Sequence, residues 1–355
     1  MKKKILKAIV VILMALIFIA LYLINNETSP LSSELLKYDF GSCTGVYKVD
    51  ANSFFVYLRD SIKFINLHEK WSESLNFSDA IIYHNKNVLG VSDLKTNFIY
   101  VYDTNGKLYE IKVPEKLLSF SVNTTGFCSC ISKEKNSYKI NLYDNSGTKI
   151  LTYVYSEENI FPINTNISPD GKILAISYID TNNLNIDSKI TFMYTNQNNI
   201  FASVQEKNNF IYGLNFLSNN SIILIGDKQI ICEKFSPDLK QQWRLNFNDK
   251  INMLEIAENF FAVSHSKNSI EFYNMSGKKL GNFESSEQIN SISLSNNHAL
   301  LSTANNIIAA NTKGNYLWSQ AIFGEYKFAH FISNPNKVLL VSANKIFLLN
   351  VNTKE

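Results

Sequence analysis

Eight copies of one short pattern run through most of the chain and limit the folds that it can adopt. Each copy is an apolar strand ending in Asn or Asp, a tight polar turn, and a second strand with a large apolar residue near its start. The clearest copies are Asp103–Tyr109, Asn274–Leu280 and Asn311–Trp318. The copies recur about every 40 residues, with four short strand candidates and no helix-period segment in each interval. This period predicts an all-β protein, an eight-bladed β-propeller with four antiparallel strands per blade.

One repeat can be divided into its four strands. Phe161–Ile167 is predicted to be the innermost strand, Lys172–Tyr178 the second, Ser188–Tyr194 the third and Ile200–Gln205 the outermost. The turn Ser168–Gly171 joins the first two strands, with Pro presetting φ and Gly tolerating positive φ.

The propeller is expected to cover residues 34–355 and to be closed by both of its ends. The last copy stops after its third strand, whereas the strand-like segment 34–41 has no other partner. An open ring would leave backbone groups unpaired at its edge. We therefore expect 34–41 to complete the last blade.

A single apolar stretch precedes the repeats. Residues 5–24 are long enough to cross a bilayer as a helix, and residues 1–4 before them carry three of the four leading lysines. The positive-inside rule places 1–4 in the cytoplasm and the chain beyond a polar linker, 25–33, outside the cell membrane. We expect a single-pass signal-anchor, although a cleaved signal peptide stays as the alternative.

Two elements of the repeats carry a resemblance to known propellers. Lys313–Trp318 is similar to the turn-and-Trp element of pyrroloquinoline-quinone-type propellers, and Ser168–Ala175 resembles the first turn of WD40-like propellers. As a whole, residues 34–355 resemble uncharacterised membrane-anchored bacterial propeller proteins. The resemblance implies an architecture rather than an activity, because propellers host many functions.

Composition and spacing argue against several kinds of site. Outside the four leading lysines the charge is nearly balanced and only two residues are Arg, so we expect no nucleic-acid partner. A quinone cofactor is not expected, since the chain lacks adjacent cysteines and its three Trp residues fall on outer strands, where we predict packing between blades. The five histidines lie in five different repeats, and Cys128 and Cys130 are interpreted as buried apolar groups. We predict no catalytic, cofactor-binding or metal-binding residues.

The loops between second and third strands are the best candidates for contacts with a partner. They share one face with the loops that join the blades, and the longest of them covers residues 180–187. Insertions on one face often mark a binding surface, although an ordinary solvated rim would look the same. The candidate residues are Arg59, Asp60, Asp93, Asp180, Asn182, Asn183, Asp187, Asp227 and His265.

These features favour a membrane-tethered, non-enzymatic platform that binds a protein, a peptide or an envelope polymer. The alternative is a glycan-acting hydrolase or lyase with its site at the mouth of the central channel. An enzyme would show converging carboxylates with shifted pKa values in a concave pocket at the channel mouth, whereas a platform would show a flat face with exposed aromatic side chains.

Overall fold

The computed structural model describes residues 31–351 apart from 40–42, 51, 76, 78–79, 237, 323–325 and 333. The regular structure of this part of the chain is β, with strands arranged in eight antiparallel sheets of four. The predicted eight-bladed propeller is therefore confirmed. Segments 1–4 and 5–24 lie outside the described residues. Within the described part of the chain, no helix is long and apolar enough to cross a membrane.

The first strand of the chain, β1 (Leu31–Asp39), belongs to the last sheet, and the other strands follow in blade order. Blade 1 comprises β2 (Cys43–Lys48), β3 (Ser53–Leu58), β4 (Ser61–Asn66) and β5 (His68–Ser74). Blade 2 comprises β6 (Ala80–Asn85), β7 (Val88–Asp93), β8 (Phe98–Asp103) and β9 (Gly106–Lys112). Blade 3 comprises β10 (Lys116–Val122), β11 (Cys128–Glu134), β12 (Ser137–Tyr143) and β13 (Lys149–Tyr155). Blade 4 comprises β14 (Ile160–Ile167), β15 (Ile173–Asp180), β16 (Asp187–Tyr194) and β17 (Ile200–Glu206).

The second half of the ring repeats this arrangement. Blade 5 comprises β18 (Ile211–Ser218), β19 (Ser221–Gly226), β20 (Gln229–Phe235) and β21 (Leu239–Asn246). Blade 6 comprises β22 (Met253–Ile256), β23 (Phe260–Ser264), β24 (Ser269–Asn274) and β25 (Lys279–Glu284). Blade 7 comprises β26 (Ser291–Ser295), β27 (His298–Ser302), β28 (Asn306–Asn311) and β29 (Tyr316–Ala321). Blade 8 comprises β30 (Tyr326–Ile332), β31 (Asn334–Ser342), β32 (Lys345–Val351) and β1.

The apolar core is divided among the interfaces between blades. Second strands such as β3 and β7 are buried along their whole length, whereas outermost strands such as β5 are largely exposed. The buried apolar residues of the described chain form eight clusters, and each cluster joins two neighbouring blades. One of them joins blade 8 to blade 1. The ring is therefore continuous, and its stability depends on every interface.

The Asn or Asp that ends the third strand organises the turn that follows it. Asn311 Oδ1 accepts hydrogen bonds from the backbone N of Lys313 and of Asn315, both at 3.0 Å. Because a short side-chain acceptor can satisfy two turn donors at once, the repeated Asn or Asp has a local structural cause. The same kind of bond is made by Asp103, Asp144 and Asn274.

The tryptophans of the outermost strands hold neighbouring blades together. Trp71 Nε1 donates to the carbonyl oxygen of Thr104 at 3.1 Å, and Trp243 Nε1 donates to that of Met275 at 3.0 Å. Both acceptors lie in the turn of the next blade. Trp318 packs against the cluster between blades 7 and 8. The predicted role of the tryptophans in packing between blades is confirmed.

Blade 8 contains strands from both ends of the described chain, because β1 is its outermost strand. It pairs antiparallel with β32, with Tyr38 opposite Ile346 and Leu36 opposite Leu348. Its first residue, Leu31, is opposite Val351, the last residue of β32. The strand covers Leu31–Asp39 and so begins before the segment 34–41 expected from the sequence.

The turn at Gly314 should tolerate no side chain, which gives a stability prediction. Its φ is +87°, and a Cβ there would collide with the backbone of Asn282 in the preceding blade. Gly106 also has a positive φ, of +136°, but no atom lies within 4 Å of a Cβ built on it. We expect Gly314→Ala to lower the free energy of unfolding by about 2 kcal/mol more than Gly106→Ala. Urea unfolding of both variants measures the difference, and equal losses would contradict the close approach of the two blades.

Candidate functional site

The two ends of the blades form two faces of different character. We call the end with the loops between second and third strands and between blades the loop face, and the opposite end the turn face. All nine candidate residues lie at or beside loops between second and third strands, in blades 1, 2, 4, 5 and 6. They therefore share the loop face, but the structure divides them by burial.

Three of the candidate carboxylates are buried and serve their own loops. Asp93 accepts a hydrogen bond from Thr96 Oγ1 at 2.9 Å. Asp180 Oδ1 accepts from the backbone N of Asn182 at 3.0 Å, and Asp187 Oδ1 accepts from the backbone N of Asn208 at 2.8 Å. All three side chains are buried. In this structure these carboxylates hold loops in place, and the sequence pattern alone did not distinguish that role from contact with a partner.

The other candidates are more accessible. Arg59, Asp60, Asn182 and Asn183 are exposed on the loop face. Asp227 and His265 are partly buried. His265 also packs against the ring of Phe247, with ring centroids 5.3 Å apart. The exposed group occupies blades 1 and 4, so the structure does not bring the nine candidates together into one site.

An apolar patch on blades 4 and 5 is the feature of the loop face that the sequence prediction missed. We define the apolar patch as Phe161, Leu184, Ile186 and Tyr212, all of which are exposed. Leu184 is completely exposed, at 106% of its reference area, and Ile186 is 50% exposed. Large apolar side chains gathered on one loop-rich surface are typical of interaction sites. The signal in the sequence was a Leu and an Ile within the otherwise polar 180–187 loop.

The backbone beneath the apolar patch is held by hydrogen bonds. Thr181 N donates to the carbonyl oxygen of Asn159 at 2.9 Å, just before β14. Ser188 Oγ accepts from Ile211 N at 2.9 Å, where β18 begins. Asn164 Nδ2 donates to the carbonyl oxygen of Tyr212 at 3.0 Å. The long loop and the first strands of blades 4 and 5 therefore form one supported surface.

A second group of polar residues lies on the innermost strands, in the central channel. We define the channel cluster as Lys48, His84, Glu255 and His330, from blades 1, 2, 6 and 8. Burial raises the pKa of Glu255 to about 7, and the positive charge of Lys48 opposes that rise. Water reaches the Glu255 side chain inside the channel, yet protein surrounds it closely enough to disfavour its charge. The sequence analysis missed this cluster because it forms only when strands from distant repeats line one channel.

The two histidines of the channel cluster are held neutral. Burial lowers the pKa of His84 to about 4, although a bond to the carbonyl oxygen of Lys86 favours the protonated ring. Burial also lowers the pKa of His330 to about 4, and the charges of Lys48 and His84 lower it further. Among the described residues, no three His, Cys, Asp or Glu side chains are grouped so that they could hold a metal ion.

A bond between blades that are not neighbours limits the space in the channel. Asn166 Nδ2 of blade 4 donates to Tyr83 Oη of blade 2 at 2.8 Å. The same amide donates to the carbonyl oxygen of Leu214 in blade 5 at 2.7 Å. Because blade 3 lies between blades 2 and 4, the first bond must pass on the channel side of it. The channel is therefore partly filled by side chains at this level.

The cysteines are buried thiols. All four are buried in the described structure, and Cys128 and Cys130 belong to the cluster between blades 2 and 3. Burial raises the pKa of Cys130 to about 12 and that of Cys128 well above its usual value. These thiols are poor nucleophiles, and their interpretation as buried apolar groups is confirmed.

Comparison with known proteins identifies a family and a fold. Residues 29–349 match the model of a family described as "Family of unknown function (DUF5711)". The chain belongs to this family. A search of curated proteins found no match.

Solved structures share the architecture of this DUF5711 protein at low sequence identity. It is similar to BamB from Moraxella catarrhalis, with a TM-score of 0.57 and 10% identity over 90% of this chain and 99% of the other. The Dos1 propeller is similar with a TM-score of 0.60 and 11% identity over 92% and 97% of the two chains. Sqt1 from Saccharomyces cerevisiae is similar with a TM-score of 0.60 and 9% identity over 91% and 100%. At these identities the likeness establishes the propeller fold alone.

Proposed function

We propose that this DUF5711 protein is a membrane-tethered, extracytoplasmic and non-enzymatic platform that binds a protein partner on its loop face. The observation that carries the proposal is the apolar patch, Phe161, Leu184, Ile186 and Tyr212. Exposing large apolar side chains to water is unfavourable, and covering them on binding stabilises a complex. The tether, inferred from the apolar stretch 5–24, restricts the partner to the neighbourhood of the membrane.

The surroundings of the apolar patch favour a protein over a polymer of uniform charge. Glu157 and Lys189 form an ion pair of 3.8 Å beside β14, so both signs of charge lie next to the apolar patch. An apolar centre within a rim of both charges is the usual composition of a protein interface. A peptide or an envelope polymer remains the other occupant to be tested.

Photo-cross-linking in native membranes tests this proposal. A benzophenone amino acid is placed at Leu184 in the full chain, and the control places it at Val154, an equally apolar residue that is 55% exposed on the outermost strand of blade 3. We expect one major protein adduct from position 184 and none from position 154. Adding Ile186→Asp should lower the adduct yield about tenfold, since removing a central apolar contact costs about 1.4 kcal/mol or more.

The same experiment separates the possible occupants. A discrete protein adduct that disappears with Ile186→Asp supports the platform. Adducts only with envelope polymer would assign the face to a polymer. Equal adducts from positions 184 and 154, or none from either, would contradict a specific loop-face partner.

The alternative is a glycan-acting hydrolase or lyase in the channel, and Glu255 is the observation that favours it. A carboxyl with a pKa of about 7 can act as a general acid near neutral pH. Glycoside hydrolysis commonly needs a second carboxylate, whereas the charge that acts on Glu255 in the described structure is that of Lys48. Release of fragments from envelope glycans by the full chain, abolished in Glu255→Gln, would establish the enzyme.

A further inference from the structure

The turn face also exposes apolar residues, and they follow the outer rim of the propeller. These residues are large, exposed, and close to the turns between third and fourth strands. They are Leu67, Leu108, Ile150, Ile200, Leu280, Tyr316 and Leu317. They come from blades 1 to 4, 6 and 7, so the apolar side chains surround most of the rim rather than gathering on one blade.

Lysines accompany these apolar residues along the same rim. Lys107, Lys149 and Lys279 each directly precede an exposed Leu or Ile, and Lys313 lies three residues before Tyr316. Lys107 and Lys279 are engaged by acidic side chains. Three exposed lysines of these turns form no ion pair with described residues, namely Lys149, Lys278 and Lys313.

Two acidic residues of these turns, Asp103 and Asp144, use their carboxylates to bond the backbone of their own turn. Asp103 Oδ1 accepts hydrogen bonds from the backbone N of Asn105 at 2.7 Å and of Gly106 at 3.2 Å. Asp144 Oδ1 similarly accepts from the backbone N of Ser146 at 2.9 Å. The carboxylates are drawn into the turns, while the lysine side chains extend into solvent. The rim therefore presents ammonium groups beside apolar side chains.

The path of the chain places the predicted tether on this same face. Leu31, where β1 begins, is opposite Val351 at the turn-face end of β32. Residues 25–30 separate Leu31 from the apolar stretch 5–24, and six residues can span at most about 20 Å. A membrane crossing at 5–24 would therefore hold the turn face near the lipid surface and leave the loop face pointing away.

We propose that the turn face rests on an anionic lipid bilayer. The lysines attract acidic headgroups, and the neighbouring Leu, Ile and Tyr side chains enter the interfacial region. This orientation rests on the proposed tether, and it deepens the proposed function because it presents the apolar patch of the loop face to a partner. Lipid is favoured over a wall polymer because the exposed residues combine basic with large apolar side chains.

Energy transfer from labels on the two faces tests the orientation. The full chain is reconstituted into phosphatidylcholine liposomes with or without phosphatidylglycerol, together with an acceptor lipid. A dye is attached through Asn145→Cys on the turn face or through Asn185→Cys on the loop face; both sites are exposed, and the native cysteines are buried. We expect several-fold greater transfer from position 145 than from position 185. Equal or reversed transfer would overturn the proposal.

Charge-reversal variants test the role of the lysines. Lys149→Glu, Lys278→Glu and Lys313→Glu together should lower transfer from position 145 several-fold when phosphatidylglycerol is present. The matched control reverses three exposed lysines of the loop face, Lys135, Lys207 and Lys228, and should leave the transfer unchanged. Equal effects of the two sets of substitutions would contradict specific contact between the rim and lipid. Binding of the protein to an anionic wall polymer, without contact between the rim and the liposomes, would contradict it as well.

Alkaline extraction of the same liposomes separates the two proposals. A chain that resists extraction supports the tether, whichever label gives more transfer. A chain that is stripped by alkali but shows strong transfer from position 145 before extraction would refute the tether and retain the lipid-contacting face. Resistance to alkali combined with equal transfer from both labels would retain the tether and refute the orientation.

Discussion

A chain without β1 is expected to lose about 5 kcal/mol or more of unfolding free energy. Removing β1 opens blade 8, because β1 pairs with β32 from Leu31 opposite Val351 to Asp39 opposite Lys345. It also breaks a link between blades 8 and 1, since Tyr38 Oη donates to the carbonyl oxygen of Leu67 at 2.6 Å. The Tyr38 ring also lies 5.9 Å from that of Phe54. Strand pairing and packing are lost at one site, so the loss of unfolding free energy should be large for a local change.

Denaturant unfolding measures this loss. The variant begins at residue 43, and its control begins at residue 31, so that both lack the apolar stretch and only one keeps β1. A synthetic peptide of residues 31–39 added to the shorter chain should restore part of the lost stability, because it can pair with β32. Equal unfolding midpoints for the two chains, with no effect of the peptide, would show that β1 does not close the ring.

The repeat pattern predicted the ring because its causes are local. An Asn or Asp such as Asn311 ends a strand by accepting backbone hydrogen bonds. A Trp such as Trp243 donates a hydrogen bond to the turn of the next blade. The first event lies within one turn and the second joins neighbouring blades, and both recur with the period of the chain. The strands predicted for blade 4 therefore agree with β14 to β17 within a few residues at each end.

The functional surfaces were harder to predict because they depend on contacts between repeats. The topology placed Asp93, Asp180 and Asp187 on the loop face, but the choice between solvent and loop hydrogen bonds is made by side-chain geometry that no periodicity encodes. The channel cluster combines residues as distant as Lys48 and His330. To find the channel cluster from the sequence, one would need the register in which each innermost strand pairs with its second strand. That register is a property of the folded sheet.

Acidification should destabilise the propeller through the two channel histidines. The pKa of each is lowered to about 4 in the folded protein, against about 6.5 in an unfolded chain. Between these values the unfolded state binds protons that the folded state does not, so stability is present above about pH 6.5 and is lost as the pH falls towards 4. Each imidazole should contribute a loss of the order of 2 kcal/mol, with water in the channel reducing the full electrostatic effect.

Glu255 should act in the opposite direction within the same channel. Its pKa is about 7 when folded, above its usual value of 4.5, so the unfolded state releases its proton first as the pH rises. Its contribution to stability is therefore present below about pH 4.5 and is lost as the pH rises towards 7. Because two imidazoles oppose one carboxyl, the combined contribution of these three channel groups should still be destabilising when the pH falls from 7 to 4.

Urea unfolding at several pH values between 4 and 7 separates these contributions. His84→Gln and His330→Gln should each lose less stability on acidification than the original chain, whereas Glu255→Gln should lose more. His68 is exposed on β5, outside the channel, and His68→Gln supplies the matched control. If the His84 and His330 variants show the same pH dependence as the His68 control, the channel imidazoles are not held neutral by burial. A smaller loss of stability on acidification in both variants would instead support the placement of His84 and His330 in the channel beside Lys48. The fold predicts this placement, whereas the linear sequence does not.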